Sequence, residues 1–321
     1  MNFRTPISVS KNANRLDYYS KVVSVGSCFA VNMSEKLEYF KFRQYTNPFG
    51  IIFNPVSIEK LLKRTLNQQF FTSSDLFYEN ELWNCFDIHS ELSNPDKEDM
   101  LINLNGILVF LNDQLKEASH FILTIGTAWV YRYKDSGEYV ANCYKVPQSQ
   151  FSKELLKPRE IEHSLENICL FLREINPDIN IILTISPVRH IKDGFTENQR
   201  SKAHIITALH KFIENQSETL RHKISYFPAY EIMMDDLRDY RFYAEDMLHP
   251  NKIAIDYIWE KFSESHFSNH IIPIMEELDS IQKAFAHKPF NPNAEQHRHF
   301  LKKLNERVLV LQEKHPFLKL S

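Results

Sequence analysis

The apolar positions of the chain fall into two alternating rhythms. Short β-branched or near-continuous apolar runs occupy residues 21–25 (KVVSV), 42–46, 120–125 (HFILTI), 180–185 (NIILTI) and 224–227. Runs of this kind suit strands of a parallel sheet, which are covered on both faces. Between them the apolar spacing changes to three or four residues, which predicts helices over 29–40, 55–66, 99–117, 158–175, 199–215 and 251–267. Pro55, Pro158 and Pro250 stand at helix starts, and Asn176-Pro177-Asp178 ends one helix. Strands alternating with helices imply βαβ crossovers, and hence a doubly wound α/β fold with a parallel sheet between two helical layers.

Three stretches break the alternation. Residues 68–94 are aromatic and irregular, an excursion over the surface that carries Trp83 and His89. Residues 131–139, with Asp135-Ser136-Gly137 at their centre, predict a hairpin inserted after the third core strand. Beyond residue 270 two polar amphipathic helices, 271–286 and 293–311, flank Lys288-Pro289-Phe290-Asn291-Pro292. The expected organisation is one domain over residues 1–268 and a helical extension over 269–321, packed on that domain or serving as the contact of an oligomer.

Composition narrows the function classes. With 43% apolar and 13% aromatic residues, 321 residues supply a core that needs no staples. The 38 basic and 41 acidic side chains are dispersed and leave a net charge of −3, so neither nucleic acid nor an anionic membrane is expected as a partner. Cys28, Cys85, Cys143 and Cys169 are far apart and form no C-x-x-C pair, which argues against a zinc site and a disulfide framework. Reduced thiols in a cytoplasmic setting are expected, and no metal or cofactor is called for. The opening MNFRTPISVS has no apolar leader core, and no run reaches the ~18 apolar residues of a membrane span.

Only six glycines occur, and Gly26, Gly50 and Gly126 follow the first three predicted strands. Ligands of open parallel sheets bind beyond the carboxyl ends of the strands, where glycine permits sharp turns and close approach. The first of these loops, Gly26-Ser27-Cys28-Phe29-Ala30, brings two nucleophile-capable side chains to a helix start. Unpaired N–H groups there favour negative charge, lower a thiol's pKa and can hold an oxyanion. The plainer alternative is that Ser27 caps the helix and Cys28 is a small buried apolar residue. A second constellation, Asp246 and His249, lies in a turn just before the last core helix. That spacing lets the Asp carboxylate accept Nδ1–H of His249 and leaves Nε2 as a general base.

The segment Gly26-Ser27-Cys28-Phe29-Ala30 resembles the motif that names the GSCFA family. Further stretches are similar to that family in the same order: 47–55 (NPFGIIFNP), 124–129 (TIGTAW), 141–143 and 145–147, 186–188 (SPV), 226–231, and 243–250 (YAEDMLHP). The resemblance covers about residues 20–260 and implies a flavodoxin-like fold of the SGNH/GDSL-like hydrolase superfamily, whose members are mostly esterases, lipases and carbohydrate deacetylases. It implies a small-molecule or carbohydrate ester as substrate. Laid on the superfamily's first block, Cys28 takes the nucleophile position, and a shift of one residue gives that place to Ser27. Gly50 corresponds to the oxyanion glycine of the second block. Gly126 matches the first position of the third, where Thr127 follows and the superfamily's asparagine is absent, so Asn142, across the predicted hairpin, is either a substitute donor or a stabiliser of that hairpin. Asp246 and His249 match the final block without departure. The implied chemistry is acyl transfer through a covalent intermediate, and an acyltransferase would use the same triad. The rival is a catalytically silent binding or scaffold domain.

Other residues carry plainer readings. Arg189-His190 reads as a solvated loop pair, and His297 and His299 as exposed helix positions. Trp129 and the Tyr240/Phe242/Tyr243 cluster serve either as pocket walls or as core. A nucleotide-binding domain is disfavoured, because the first loop lacks G-x-G-x-x-G and no acidic residue ends the second strand.

Overall fold

The computed structural model describes residues 5–287, 289–291 and 294–318. The first core strand, β1 (Lys21–Gly26), leads into α1 (Cys28–Tyr39), β2 (Arg43–Thr46) and α2 (Pro55–Leu66). A hairpin of β3 (Phe77–Glu79) and β4 (Leu82–Asn84) precedes α3 (Lys97–Glu117) and β5 (His120–Ile125). Three antiparallel strands, β6 (Trp129–Tyr133), β7 (Tyr139–Val140) and β8 (Phe151–Leu155), are inserted before α4 (Pro158–Ile175) and β9 (Asn180–Ile185). Then come α5 (Phe195–Glu214), α6 (Glu218–Arg221), β10 (Ile224–Phe227), the single turn α7 (Ala229–Glu231) and α8 (Lys252–His266). The C-terminal helices are α9 (Ile272–Ala286) and α10 (Glu295–Lys314).

The central sheet is parallel throughout, in the order β10-β9-β5-β1-β2. Counting core strands alone this is 2-1-3-4-5 reversed, the flavodoxin-like order, and winding switches direction between β1 and β5. Successive side chains of a strand face opposite ways, and the sheet obeys this strictly. Val23, Phe121, Leu123, Ile181 and Leu183 join the apolar cluster of α2, α3, α4 and α5, whereas Val22, Ile122 and Ile182 join that of α1 and α8. Leu123 is fully buried, and truncating it to alanine should cost about 2–5 kcal/mol. The layer of α1 and α8 extends into α9 and α10, whose Met275, Leu278, Ile281, Leu304 and Leu311 belong to the same cluster as Phe29 and Trp259.

The sharp exit from β1 requires glycine. Gly26 has φ +149°, and a Cβ there would sit 2.2 Å from the Thr124 carbonyl oxygen of neighbouring β5.

Where expectation and structure differ, the cause is local. The excursion over 68–94 contains the β3–β4 hairpin, turned by Asn80 and Glu81 with φ 54° and 61°. Asn-Glu is a weaker signal than Asn-Gly for a turn with two left-handed residues. The predicted hairpin after β5 is present and gains β8, a charged strand that pairs along all of β6. Helix α5 starts a turn earlier than the apolar spacing, after Gly194. In the connection before α10, residues 288, 292 and 293 lie outside the described residues.

Candidate active site

At the carboxyl end of β1 the two nucleophile candidates have different surroundings. Ser27 is completely buried, its N–H donates to the Thr124 carbonyl at 3.1 Å, and its hydroxyl caps α1 by accepting from Phe29 N–H at 3.2 Å. Cys28 is partly exposed and free of any disulfide. Burial raises its thiol above the usual value. The N–H groups of Phe29 and Cys28 and the charge of Lys202 pull the other way, and Asp246 pushes up. The lowering expected from the helix start is therefore present but outweighed by desolvation.

Asp246 and His249 sit in the loop before α8. Met247, with φ 60°, folds the loop back so that the Asp246 carboxylate accepts the N–H groups of Leu248 at 2.9 Å and His249 at 3.0 Å. Its second oxygen lies 2.5 Å from His249 Nδ1. Those two N–H groups, the His249 one foremost, and the imidazole hold the carboxyl down to about 2. Both side chains remain nearly half exposed. The Asp246 charge reaches the Cys28 sulfur, although no hydrogen bond joins Cys28 to His249 among the described residues.

Two further groups belong to this edge, and neither was singled out from sequence. Lys202 of α5 is fully enclosed, and its Nζ donates to the carbonyls of Gly126 and Ser186, 2.7 Å each, at the ends of β5 and β9. Burial brings the ammonium down to about 7, against the raising influence of Cys28 and Glu231. His190 is no solvated loop residue. Its ring packs on Phe53 with centroids 5.0 Å apart, its N–H is held by Asn198 Oδ1 at 2.9 Å, and its Nε2 is buried without a hydrogen-bond partner. Burial, Lys202 and His249 bring its imidazole down to about 3, so it is neutral. Its neighbour Arg189 stacks on Tyr243 at 4.1 Å and donates its N–H to the Leu248 carbonyl at 3.3 Å, tying this loop to the Asp246–His249 turn. A signal for Lys202 existed: Asn198, Ser201 and Lys202 continue the buried stripe of Ile205, Leu209 and Phe212 at helical spacing. The signal is not specific, since Arg64 and Thr65 of α2, Asn112 of α3, and Glu162 and Ser164 of α4 are buried polar residues too.

Among the described residues the expected oxyanion donors differ in whether their N–H groups are free, and Asn142 alone keeps its side-chain amide nitrogen uncommitted. Gly50 N–H is occupied by the Asn47 carbonyl at 2.8 Å, and the residue packs against His89. Gly126 N–H donates to the Phe53 carbonyl at 2.7 Å, and Thr127 N–H to the same oxygen at 3.4 Å. The Thr127 hydroxyl pairs with Ser201 at 2.9 Å. Asn142 accepts Tyr144 N–H through Oδ1 and stands in the wall of a cavity. The side-chain amide that sequence overlooked is Asn47. Its Oδ1 accepts Gly26 N–H at 2.8 Å, and its Nδ2 is buried with no acceptor among the described residues.

A cavity of about 320 Å³ opens from Phe53, Thr127 and His190 toward the inserted sheet. Trp129, Tyr131 and Tyr144 provide aromatic walls, Asn142 and Gln148 polar ones. Tyr243 is buried, while Tyr240 is exposed. Among the described residues no cluster of three or more His, Cys, Asp or Glu could hold a metal, and no helix is long and apolar enough to cross a membrane.

Fold and site together define a class: a doubly wound α/β protein with a thiol, an imidazole–carboxylate pair and a buried lysine gathered where the sheet switches direction. The chain belongs to the GSCFA family, which it matches over residues 21–262; residues 278–321 match the C-terminal domain of GSCFA domain proteins. No curated protein matches the sequence. Among solved structures it is similar to a carbohydrate esterase of family 3 from Talaromyces cellulolyticus, at 7% identity and a TM-score of 0.37, covering 80% of this chain and 99% of that one. It is also similar to an acetyl esterase carrying a serine-to-alanine substitution, with an acetate ion, at 9% identity and a TM-score of 0.38, covering 81% and 99%.

Proposed function

We propose that the protein is an ester hydrolase that works through a thioacyl intermediate on Cys28. The observation that carries this reading is the Asp246–His249 pair, oriented through Nδ1 at 2.5 Å, sharing one electrostatic neighbourhood with a free thiol at a helix start. Ser27 is the weaker nucleophile because its hydroxyl is enclosed and committed to the helix cap.

In the first half-reaction His249 Nε2 takes the thiol proton and the sulfur attacks the ester carbonyl carbon. The tetrahedral oxyanion is held by the Cys28 N–H and the Asn47 side-chain amide, the donor best suited by its lack of another acceptor. The carbon–oxygen bond of the alcohol then breaks, and the alcohol leaves with the proton from His249. In the second half, His249 takes a proton from water, the hydroxide adds to the thioester, and the sulfur departs and regains its proton. Asp246 keeps the imidazole in the required tautomer. The cavity that Thr127 and His190 border, at the lower end of the ~300–1,000 Å³ range of ligand pockets, has none of Cys28, Asn47, Asp246 or His249 in its walls and suits a part of the substrate remote from the ester bond, such as a single sugar ring. A thiol nucleophile also favours a reducing, cytoplasmic compartment, consistent with four free cysteines among the described residues.

The test is turnover of p-nitrophenyl acetate by the wild type and by Cys28→Ala, Ser27→Ala and His249→Ala. Losses of at least ~1,000-fold in Cys28→Ala and His249→Ala, with a lesser one in Ser27→Ala, are expected. Equal rates in all four proteins would sink the proposal in favour of a silent domain, and transfer to added alcohols in place of hydrolysis would make the protein an acyltransferase.

A further inference from the structure

The turn that carries Asp246 and His249 is closed at its own base. Tyr243 and Pro250 pair as an antiparallel bridge, Ala244 N–H donates to the His249 carbonyl at 2.8 Å, and Asn251 N–H donates to the Phe242 carbonyl at 2.9 Å. The bonds of Asp246 to Leu248 and His249 also lie inside it. Together they fix the shape of the turn but not where it rests on the sheet. Among the described residues, 244–249 make one hydrogen bond to the rest of the chain, the Leu248 carbonyl accepting Arg189 N–H at 3.3 Å. Arg189 is a fixed post for that contact. Ser186, at the end of β9, donates its N–H to the Ile125 carbonyl at 2.8 Å, and buried Val188 donates its N–H to the Ser186 hydroxyl at 3.3 Å. On the other side of Arg189, Asn198 holds the N–H of His190 at 2.9 Å. The guanidinium lies 4.1 Å from the ring centroid of buried Tyr243 and 5.5 Å from that of exposed Tyr240. No carboxylate or carbonyl engages it among the described residues, so the rings at the base of the turn hold it, as suits a flat and weakly hydrated cation.

Resting on the reading of His249 as the general base, we propose that Arg189 is a positioning residue, which docks the Asp246–His249 turn onto the loop after β9 through its guanidinium on Tyr243 and its N–H on Leu248. The stacking grips the base of the turn, and the N–H grips the residue next to the imidazole. The bond between Asp246 and His249 is made within the turn and does not need Arg189. What Arg189 supplies is the placement of the imidazole at the carboxyl edge of the sheet, where a displacement of about 1 Å can cost ~100-fold in rate.

The experiment compares the full chain as wild type, Arg189→Ala and Arg189→Lys. With p-nitrophenyl acetate, kcat should fall ~10–100-fold in Arg189→Ala with KM within about threefold, because the placement of the imidazole matters after substrate has bound. Arg189→Lys keeps the cation without the flat fork, so its kcat should lie between the two, and it takes the place of Arg189→Ala if that variant does not fold. Amide hydrogen exchange followed by NMR supplies a readout that needs no ester. In Arg189→Ala the amide of residue 189, corrected for its intrinsic rate, should exchange ~10-fold faster. The amides of Leu248 and His249, bonded to Asp246 inside the turn, should keep their wild-type rates. Equal acceleration at all three amides would make Arg189 a stabilising residue only and overturn the proposal, as would an unchanged rate at residue 189. The selective change without ester turnover in any of the proteins would refute the hydrolase reading alone, whereas wild-type turnover that Arg189→Ala retains in full would refute the role of Arg189 alone.

Discussion

The two ends of the central sheet bury polar side chains in opposite ways. At the amino edge, His120 at the start of β5 has Nδ1 on Ser119 at 2.9 Å and Nε2 on the Asn14 carbonyl at 3.3 Å. His266, at the end of α8, has Nδ1 on Ser265 at 2.7 Å and Nε2 on Ser225 at 3.3 Å. Every ring nitrogen of that pair has a partner. At the carboxyl edge, His190 Nε2, Asn47 Nδ2 and the Thr184 hydroxyl are buried without one, and the Lys202 ammonium has carbonyls but no counter-ion. Buried polar groups are normally satisfied, so these three invite a functional reading, although the Tyr18 hydroxyl, just before β1 at the amino edge, is also buried without a partner. The amino edge is built for stability. Under the proposed function, the donors and charge of the carboxyl edge are those a bound ester would meet.

That contrast is broken most forcefully by exchanging activity for stability between the edges. His249→Ala removes a side chain nearly half exposed and bonded through its ring to Asp246 alone, so the expected result is at least ~1,000-fold loss of ester turnover with the melting temperature almost unchanged. His266→Ala should do the reverse. It removes a buried ring stacked on Phe262 at 4.7 Å and edge-on to Phe227, and should cost ~2–4 kcal/mol in urea unfolding while leaving kcat/KM within about twofold. Loss of turnover in His266→Ala at full stability would abolish the distinction between the edges.

Gly126→Ala sharpens the comparison at one residue. A Cβ there would lie 2.9 Å from Phe53 Cβ and 3.0 Å from His190 Nε2, so the His190 ring or the Phe53 loop must shift by a few tenths of an ångström. The expected effect is roughly tenfold on kcat/KM, in line with ~1–2 kcal/mol of disturbed geometry, with a smaller change in unfolding free energy. Unaltered kinetics would mean that the wall formed by Phe53 and His190 plays no part in the chemistry.

How much of this was legible follows from what sequence encodes directly. The runs 180–185 and 158–175 coincide with β9 and α4 because a buried strand and a Pro-started amphipathic helix each announce themselves by periodicity alone. The Asp246–His249 contact was legible because three residues of loop span it. Which candidate N–H groups are free was not, since that depends on where a turn's carbonyls point: Gly50 donates its N–H to Asn47, three residues earlier. His190 looked solvated because Arg189 and Lys192 surround it in sequence, yet the backbone bond to Asn198 turns its ring inward against Gly126. Lys202 combined both difficulties, a charged residue on a buried stripe of a helix whose first turn the apolar spacing did not reach.

The finest test concerns pH. Burial lowers the imidazoles of His190 and His266 to about 3 and also lowers that of His120, against an ordinary histidine value of about 6.5 in the unfolded chain. Above pH 6.5 these rings are neutral in both states. As pH falls from 6.5 toward 3, the unfolded chain takes up protons that the folded protein refuses at His190 and His266, so stability is lost through that window, by up to ~1.4 kcal/mol per pH unit for each of these two rings. Replacing one ring removes one increment. Equilibrium urea unfolding from pH 7 to 4 should give a shallower loss for His190→Gln than for wild type, by about 1 kcal/mol per pH unit, and the same flattening for His266→Gln from a lower starting stability. Flattening in His266→Gln without any in His190→Gln would mean that the His190 ring is reached by water and protonates in the folded state, and the carboxyl edge would then lack its neutral imidazole.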